Sequence, residues 1–337
     1  MPKKNATRKP KRRNEKRETA QLFDLTLKCI LKEASHPAVV HLINSIHKKN
    51  YPLQTTSVKF EPTEHIKKIL KSGKLQKIVS DIVVTLFGKG FKDTYLIEAQ
   101  IKDDAGMVLR IFNYSVQIAV AGKTISDDGS RMEIDMPAPA LLYFEESKTK
   151  DIVSIRMKFP SGESVLYNVP TLKILEHSVS ELEGMALLLP FFVLKIRKEL
   201  KKRSTDSEKR KRLSKELDGY VAEIVKSLKE SKRNNYINER DLAMLLDKLV
   251  HMSSELYGKY EEFVEVDMNL KKWAKSSACE AIDRAVNKRV NNAVNKAVSQ
   301  AVSKAKEESR AEGQAELFAL LESGVSLAEA KKIFSFS

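Results

Sequence analysis

Apolar residues recur at helical intervals near the start of the chain. Leu22, Leu25, Leu27, Ile30 and Leu31 form one set, and Val39, Val40, Leu42, Ile43 and Ile46 form a second after Pro37. The spacing predicts two short helices that open a core. The texture then changes: Ile78 to Leu86 is rich in β-branched residues, Tyr95 to Ile101 alternates apolar with polar, and Gly88 and Gly90 lie between them. This predicts two neighbouring strands joined by a turn. Met107 to Ala121 returns to helical spacing, and Ala140 to Phe144, Ile152 to Phe159 and Ser164 to Val169 read as further strands bounded by Pro, Gly or charged residues. The apolar run Leu187 to Leu194 is expected in the core.

Beyond Leu200 the strand signal ends, and Lys, Glu, Leu and Ala at helical spacing predict a mainly helical C-terminal extension. Within it Val286, Val290, Val294, Val298 and Val302 recur every fourth residue. Such a stripe advances about 40° per repeat, which fits a long helix better than a regular coiled coil. Leu317 to Leu321 reads as a helix stopped at Gly324, and Ser326 with Glu329 as a capping box that opens another. The organisation expected is a disordered basic tail over 1–20, a core over 21–200, a helical basic extension over 201–270, and a long helix with a helical hairpin over 271–337.

Charge narrows the partners. The 337 residues carry 60 Lys and Arg against 45 Asp and Glu, a formal charge of +15, which favours a polyanion: nucleic acid or an anionic membrane surface. A spanning helix is not expected, because the longest apolar run, Met185 to Leu194, is about half the roughly 20 residues required and contains Pro190. The charged stretch Lys3 to Arg17 has no apolar segment behind it and is not a secretory signal. The two cysteines, Cys29 and Cys279, lie far apart without metal-ligand spacing, as expected of a reducing cytoplasm and a cytoplasmic location.

The stretch with most chemistry in it is Lys77 to Phe87 followed by Tyr95 to Ile101. Asp81 interrupts an otherwise apolar strand. Side chains alternate along a strand, so Glu98 and Gln100 share one face while Tyr95, Ile97, Ala99 and Ile101 share the other. If the two strands pair, Asp81 can join Glu98. Burying two carboxylates among apolar neighbours is costly, and a hard divalent cation resolves the cost. Mg²⁺ (or Mn²⁺) held by one or two carboxylates, with water and substrate phosphate completing its shell, matches the pair Asp81 and Glu98.

The D-x(16)-E-x-Q pattern of Asp81, Glu98 and Gln100 resembles the PD-(D/E)XK nuclease superfamily, and specifically the recombination-promoting nuclease / putative transposase family. Leu22 to Ile30 is similar to that family's opening helix, Leu109-Arg110-Ile-Phe-Asn-Tyr114 to its Arg-x-x-x-Tyr helix, Pro139 to Phe144 to its next core strand, and Leu187 to Leu194 with Arg197 to Leu200 to a later segment. The resemblance covers roughly Leu22 to Leu200. It implies an α/β, restriction-endonuclease-like mixed sheet flanked by helices, and Mg²⁺-dependent endonuclease cleavage of DNA linked to recombination or transposition. Asp81 and Glu98 would be the metal ligands. Gln100 stands where many superfamily nucleases have lysine, and Ser80 precedes Asp81 where the superfamily name implies proline.

Other residues keep two readings. Asp24 matches the acidic position of the family's first helix, or simply complements the helix dipole. Arg110 and Tyr114, one turn apart, either overlie the site to meet phosphate or form a surface stripe. A non-catalytic DNA-binding or oligomerising scaffold is the rival to the nuclease, with the C-terminal helices as the candidate surface for homo-oligomerisation. Residues 1 to 20 hold nine Lys and Arg against two Glu. Deleting them is expected to weaken DNA binding and flatten the dependence of log affinity on log salt, leaving cleavage in place. An unchanged salt slope in a titration would show that the tail does not touch phosphate.

Overall fold

A computed structural model describes residues 22–277 apart from 62–63, 70–74, 80–81, 102, 105, 146 and 203–205, together with a few residues between 299 and 324. Helix α1 (22–33) and helix α2 (His36–His47) open the chain. Strands β1 (Ser57–Phe60), β2 (Glu64–Ile69), β3 (Leu75–Val79), β4 (Ile82–Gly88) and β5 (Phe91–Gln100) follow, then helix α3 (Met107–Ala121). After the short strands β6 (Thr124–Ile125) and β7 (Met132–Glu133) come β8 (Ala138–Tyr143), β9 (Ile152–Lys158) and β10 (Ser164–Lys173). A 3₁₀ segment, Glu183–Ile196, leads into α4 (Arg197–Lys202), α5 (Ser207–Arg233), α6 (Glu239–Tyr257) and α7 (264–277).

Six strands form one mixed sheet in the order β1-β4-β5-β8-β10-β9. The β1/β4, β4/β5 and β10/β9 pairs are antiparallel, and β5/β8 and β8/β10 are parallel. Helix α3 lies in the crossover that the parallel pair β5/β8 requires. The architecture is therefore α/β, a mixed sheet flanked by helices, with a helical region after it. The sequence expectation of a single strand from Ile78 to Leu86 is corrected here: β3 ends at Val79 and pairs with β2 in a separate two-stranded sheet, and β4 begins at Ile82. A run of β-branched residues favours extended backbone without saying which partner each part of it takes.

The two faces of the large sheet are covered differently. On one face Ile82, Val84, Leu86, Tyr95 and Ile97 pack with α1, α2 and the 3₁₀ segment in a large core. On the other, Val83, Leu96, Leu141, Tyr143 and Val169 pack with Met107 and Ile111 of α3 in a small one. The 3₁₀ segment is apolar on every side from Ala186 to Leu194, and it packs against α2, α5 and α6 as well as the sheet. Phe144 stacks on Phe191 at 4.4 Å, and the Tyr257 hydroxyl donates to the carbonyl of Val193 at 2.5 Å. The core thus runs across residue 200, where the secondary structure changes, and includes Leu217, Leu228, Leu245 and Leu270.

The chain divides into two compact units, Met1–Ala278 and Cys279–Ser337. The basic tail, the valine stripe and the Ser326–Glu329 capping box lie outside the described residues. In the second unit Gly324 has φ +91°, the left-handed conformation a helix stop uses.

One carboxylate ties the helical region to the start of the chain. Asp241, 1% exposed, accepts from the Ser35 N–H at 2.8 Å, the Ser35 hydroxyl at 2.5 Å and the Asn238 N–H at 3.0 Å. It completes the capping box of α6 and holds the residue that precedes α2. Asp241→Ala leaves these part-buried donors without their acceptor. A loss of about 2–4 kcal/mol is expected in urea unfolding, and a loss below about 0.5 kcal/mol would show that the cap is replaced by solvent.

Candidate functional site

The register of β4, β5 and β8 positions the central carboxylate. Ile82 pairs with Ile97 and Val83 with Leu96, while on the other side of β5 Glu98 lies opposite Leu141 and Gln100 opposite Tyr143. Since Leu96 packs beneath α3, alternation turns Glu98 and Gln100 to that same face. Glu98 is only 5% exposed. A carboxylate so enclosed must be stabilised by bonds or by a cation. Asp81 lies outside the described residues, and the β4/β5 ladder is described as far as Ile82.

A further acidic side chain shares this face. Glu61 follows β1, its N–H donates to the Val83 carbonyl at 3.0 Å, and its carboxylate accepts from Thr85 at 3.2 Å. Thr85 in turn meets Thr94 at 3.2 Å, and Lys59 pairs with Glu61 at 2.8 Å. Sequence reasoning missed Glu61. The alternation of Val58 and Phe60 with Lys59 and Glu61 is the signal that finds it, a strand too short to stand out.

Side-chain hydrogen bonds fasten described residues of the loop after β5. Asp103 accepts from the Ser147 hydroxyl, the Lys148 N–H at 3.0 Å and the Thr149 hydroxyl at 2.9 Å, tying it to the loop after β8. The Ser147 bond, followed by the Lys148 N–H, holds the Asp103 carboxyl below its usual range. Next to it, Asp104 accepts from the Gly106 N–H at 2.9 Å and pairs with Arg110 at 2.7 Å. The guanidinium of Arg110 is thus engaged at the N-terminal end of α3, half-exposed. Tyr114 is partly buried against the Leu96–Met107–Leu141 cluster. So α3 does cover the Glu98 face, with Tyr114 packed towards it. Asp24 pairs with Lys28 at 2.8 Å, one turn along α1, at the margin of the face on which Phe23 and Leu27 enter the core. Among the described residues no group of three or more His, Cys, Asp or Glu side chains is arranged to hold a metal ion.

A second polar cluster lies on the other face of β5. The Tyr51 hydroxyl donates to Asp93 at 2.5 Å and meets the Tyr95 hydroxyl at 2.6 Å. Burial, then the bonds to Asp93 and Tyr95, push the Tyr51 phenol up. His47 rests on the Tyr95 ring at 4.7 Å, and its Nε2 is buried without a hydrogen-bond partner among the described residues. Among the described residues no helix is long and apolar enough to cross a membrane. No protein-family model, curated protein or solved structure matches the chain.

Burial, reinforced by the charge of Lys49, lowers His47 from 6.5 to about 4. Between these values the unfolded chain takes up a proton that the folded ring refuses, so stability falls as pH drops through the window. His47→Phe removes this titration. Unfolding free energies from urea titrations between about pH 7 and about pH 4.5 are expected to fall less steeply in the variant, by at most about 1.4 kcal/mol per pH unit. Identical slopes would mean that His47 protonates freely in the fold.

Proposed function

We propose that the protein is a metal-dependent DNA endonuclease with a restriction-endonuclease-like core, whose site is centred on Glu98 and Asp81. The observation that carries this reading is the Glu98 carboxylate, 5% exposed on the α3 side of a mixed sheet, on a strand whose antiparallel neighbour is described to within one residue of Asp81. The proposal requires Asp81 to stand opposite Glu98, one step beyond the Ile82–Ile97 pair. An acidic pair at that spot, with the Gln100 amide two residues on, is a hard-oxygen donor set suited to Mg²⁺ or Mn²⁺.

When bound there, the metal would acidify a water and stabilise charge on the scissile phosphate. Asp81 and Glu98 would hold it. Gln100 would orient the attacking water by its amide, contributing no charge of its own. Tyr114 and the Asp103-pinned loop would keep α3 and the strand ends in place around the phosphate. The formal charge of +15 supports a polyanionic substrate.

Plasmid nicking in Mg²⁺ tests the reading. Asp81→Ala and Glu98→Ala are each expected to lower the rate by at least about 100-fold, and the double variant to fall no further, since residues acting as one unit are not additive. DNA binding in EDTA is expected to persist. Wild-type nicking by the Asp81→Ala protein would defeat the nuclease and favour a DNA-binding scaffold.

A further inference from the structure

At the end of the sheet where β5 begins, two loops meet and both carry lysines. The first follows α2: Lys48, Lys49, Asn50 and Tyr51. The second is the β4/β5 turn, with Lys89 and Lys92 on either side of Gly90 and Phe91. They are joined by the Tyr51 ring, which packs on Phe91 at 4.8 Å, and by the Tyr51 hydroxyl on Asp93. All four lysines are exposed, and among the described residues their ammonium groups make no hydrogen bond or ion pair. Asp93 is the only acidic residue within 48–57 and 87–93, and it is already engaged by Tyr51.

The loops are built to present these charges. Asn44 clamps the first one: its side-chain amide donates to the Tyr51 carbonyl at 2.9 Å and its side-chain oxygen accepts from the Tyr51 N–H at 2.9 Å. The Asn44 carbonyl also accepts from the Lys49 N–H at 3.1 Å. Within this clamp Lys48 is held at φ 54° and ψ 40°, a left-handed conformation that glycine or asparagine adopts at lower cost. A lysine kept there sets strain against the use of its side chain. In the second loop Gly90 takes φ +83°, and a Cβ on Gly88 would collide with the Phe91 ring, so this turn calls for glycine at both positions.

We propose that this end of the sheet is a binding surface for the phosphate backbone of nucleic acid, apart from the Glu98 site. This rests on the nucleic-acid substrate proposed above. The chemistry favours phosphodiester over a lipid surface, since no exposed large apolar residue lies within 48–60 or 87–93 to enter a bilayer. The groups these loops expose are ammonium groups, which meet phosphate and carry no readout of base sequence. From Phe91 to Glu98 the strand rises roughly 23 Å, about the length of seven base pairs, so the surface is separate from the acidic site.

The test is fluorescence anisotropy of a labelled DNA duplex in EDTA over a series of salt concentrations. A variant with Lys48, Lys49, Lys89 and Lys92 all changed to Gln is expected to lower the slope of log affinity against log salt by about 3 to 4. A control of equal charge loss, with Lys226, Lys229, Lys272 and Lys275 changed to Gln, is expected to lower it by less than about 1. An unchanged slope in the first variant, or an equal fall in both, overturns the proposal. So does lysine-dependent binding to phosphatidylserine vesicles with none to the duplex. Lys48→Gly is expected to raise the thermal midpoint while weakening DNA binding, and unweakened binding would refute the use of that strained side chain. Because EDTA removes cleavage from the measurement, a protein that fails to nick plasmid in Mg²⁺ but binds through these lysines defeats the nuclease alone. One that nicks, yet binds without them, defeats the surface alone.

Discussion

Everything else in the first unit is arranged around the burial of the 3₁₀ segment Glu183–Ile196. Its residues Leu187, Leu188, Leu189, Phe191, Phe192 and Val193 are buried, and a segment apolar all round has no side it can leave to water. Each such side chain is worth about 1.5–3 kcal/mol when taken out of water, so enclosure outweighs most local preferences. The sheet with α1 and α2 closes one side, and α5 and α6 close the other. Polar groups are satisfied in passing: Tyr257 reaches the Val193 carbonyl, and Lys195 donates to the Leu175 carbonyl at 2.8 Å. Asp241, bonded to Ser35, is the polar counterpart of this apolar union.

That large core also decides what lies on the opposite face. Once Ile82, Val84, Tyr95 and Ile97 are committed to it, alternation sends Leu96, Glu98 and Gln100 towards α3. A slip of one residue would bury Glu98 in the main core and turn Tyr95 and Ile97 to the α3 side. The register is therefore held by apolar burial, and with it the face to which the Glu98 carboxylate turns. The N-terminal end of α3, which covers the other side, is fastened by Asp104 and Arg110. Asp103, bonded to Ser147 and Thr149, fixes the strand ends next to it.

Several elements could be read along the chain. The helical spacing of Met107 to Ala121 coincides with α3, and the alternation from Tyr95 to Ile101 falls on β5. The shared face of Glu98 and Gln100 follows from that alternation. β1 escaped notice because four residues give too little pattern, and with it went Glu61. The run Ile78 to Leu86 looked continuous, since β-branching favours extended backbone in β3 and β4 alike, although they belong to different sheets. The pairing of Arg110 with Asp104 depends on how the chain turns before α3, which no periodicity records.

By itself the sequence determined the local conformations and their faces, because helical and strand periods arise from backbone geometry and the burial of every third, fourth or second side chain. It also determined the basic charge, which is a sum over residues and independent of fold. Only the tertiary structure decided which strands are neighbours, and so which distant residues meet. Ser35 joins Asp241, Asp103 joins Ser147, and Tyr51 joins Asp93 across separations that no local rule spans. Two lysine-bearing loops form one surface for the same reason: the sheet order brings β4 and β5 beneath α2, and each of these pairings is chosen by the burial of the whole core.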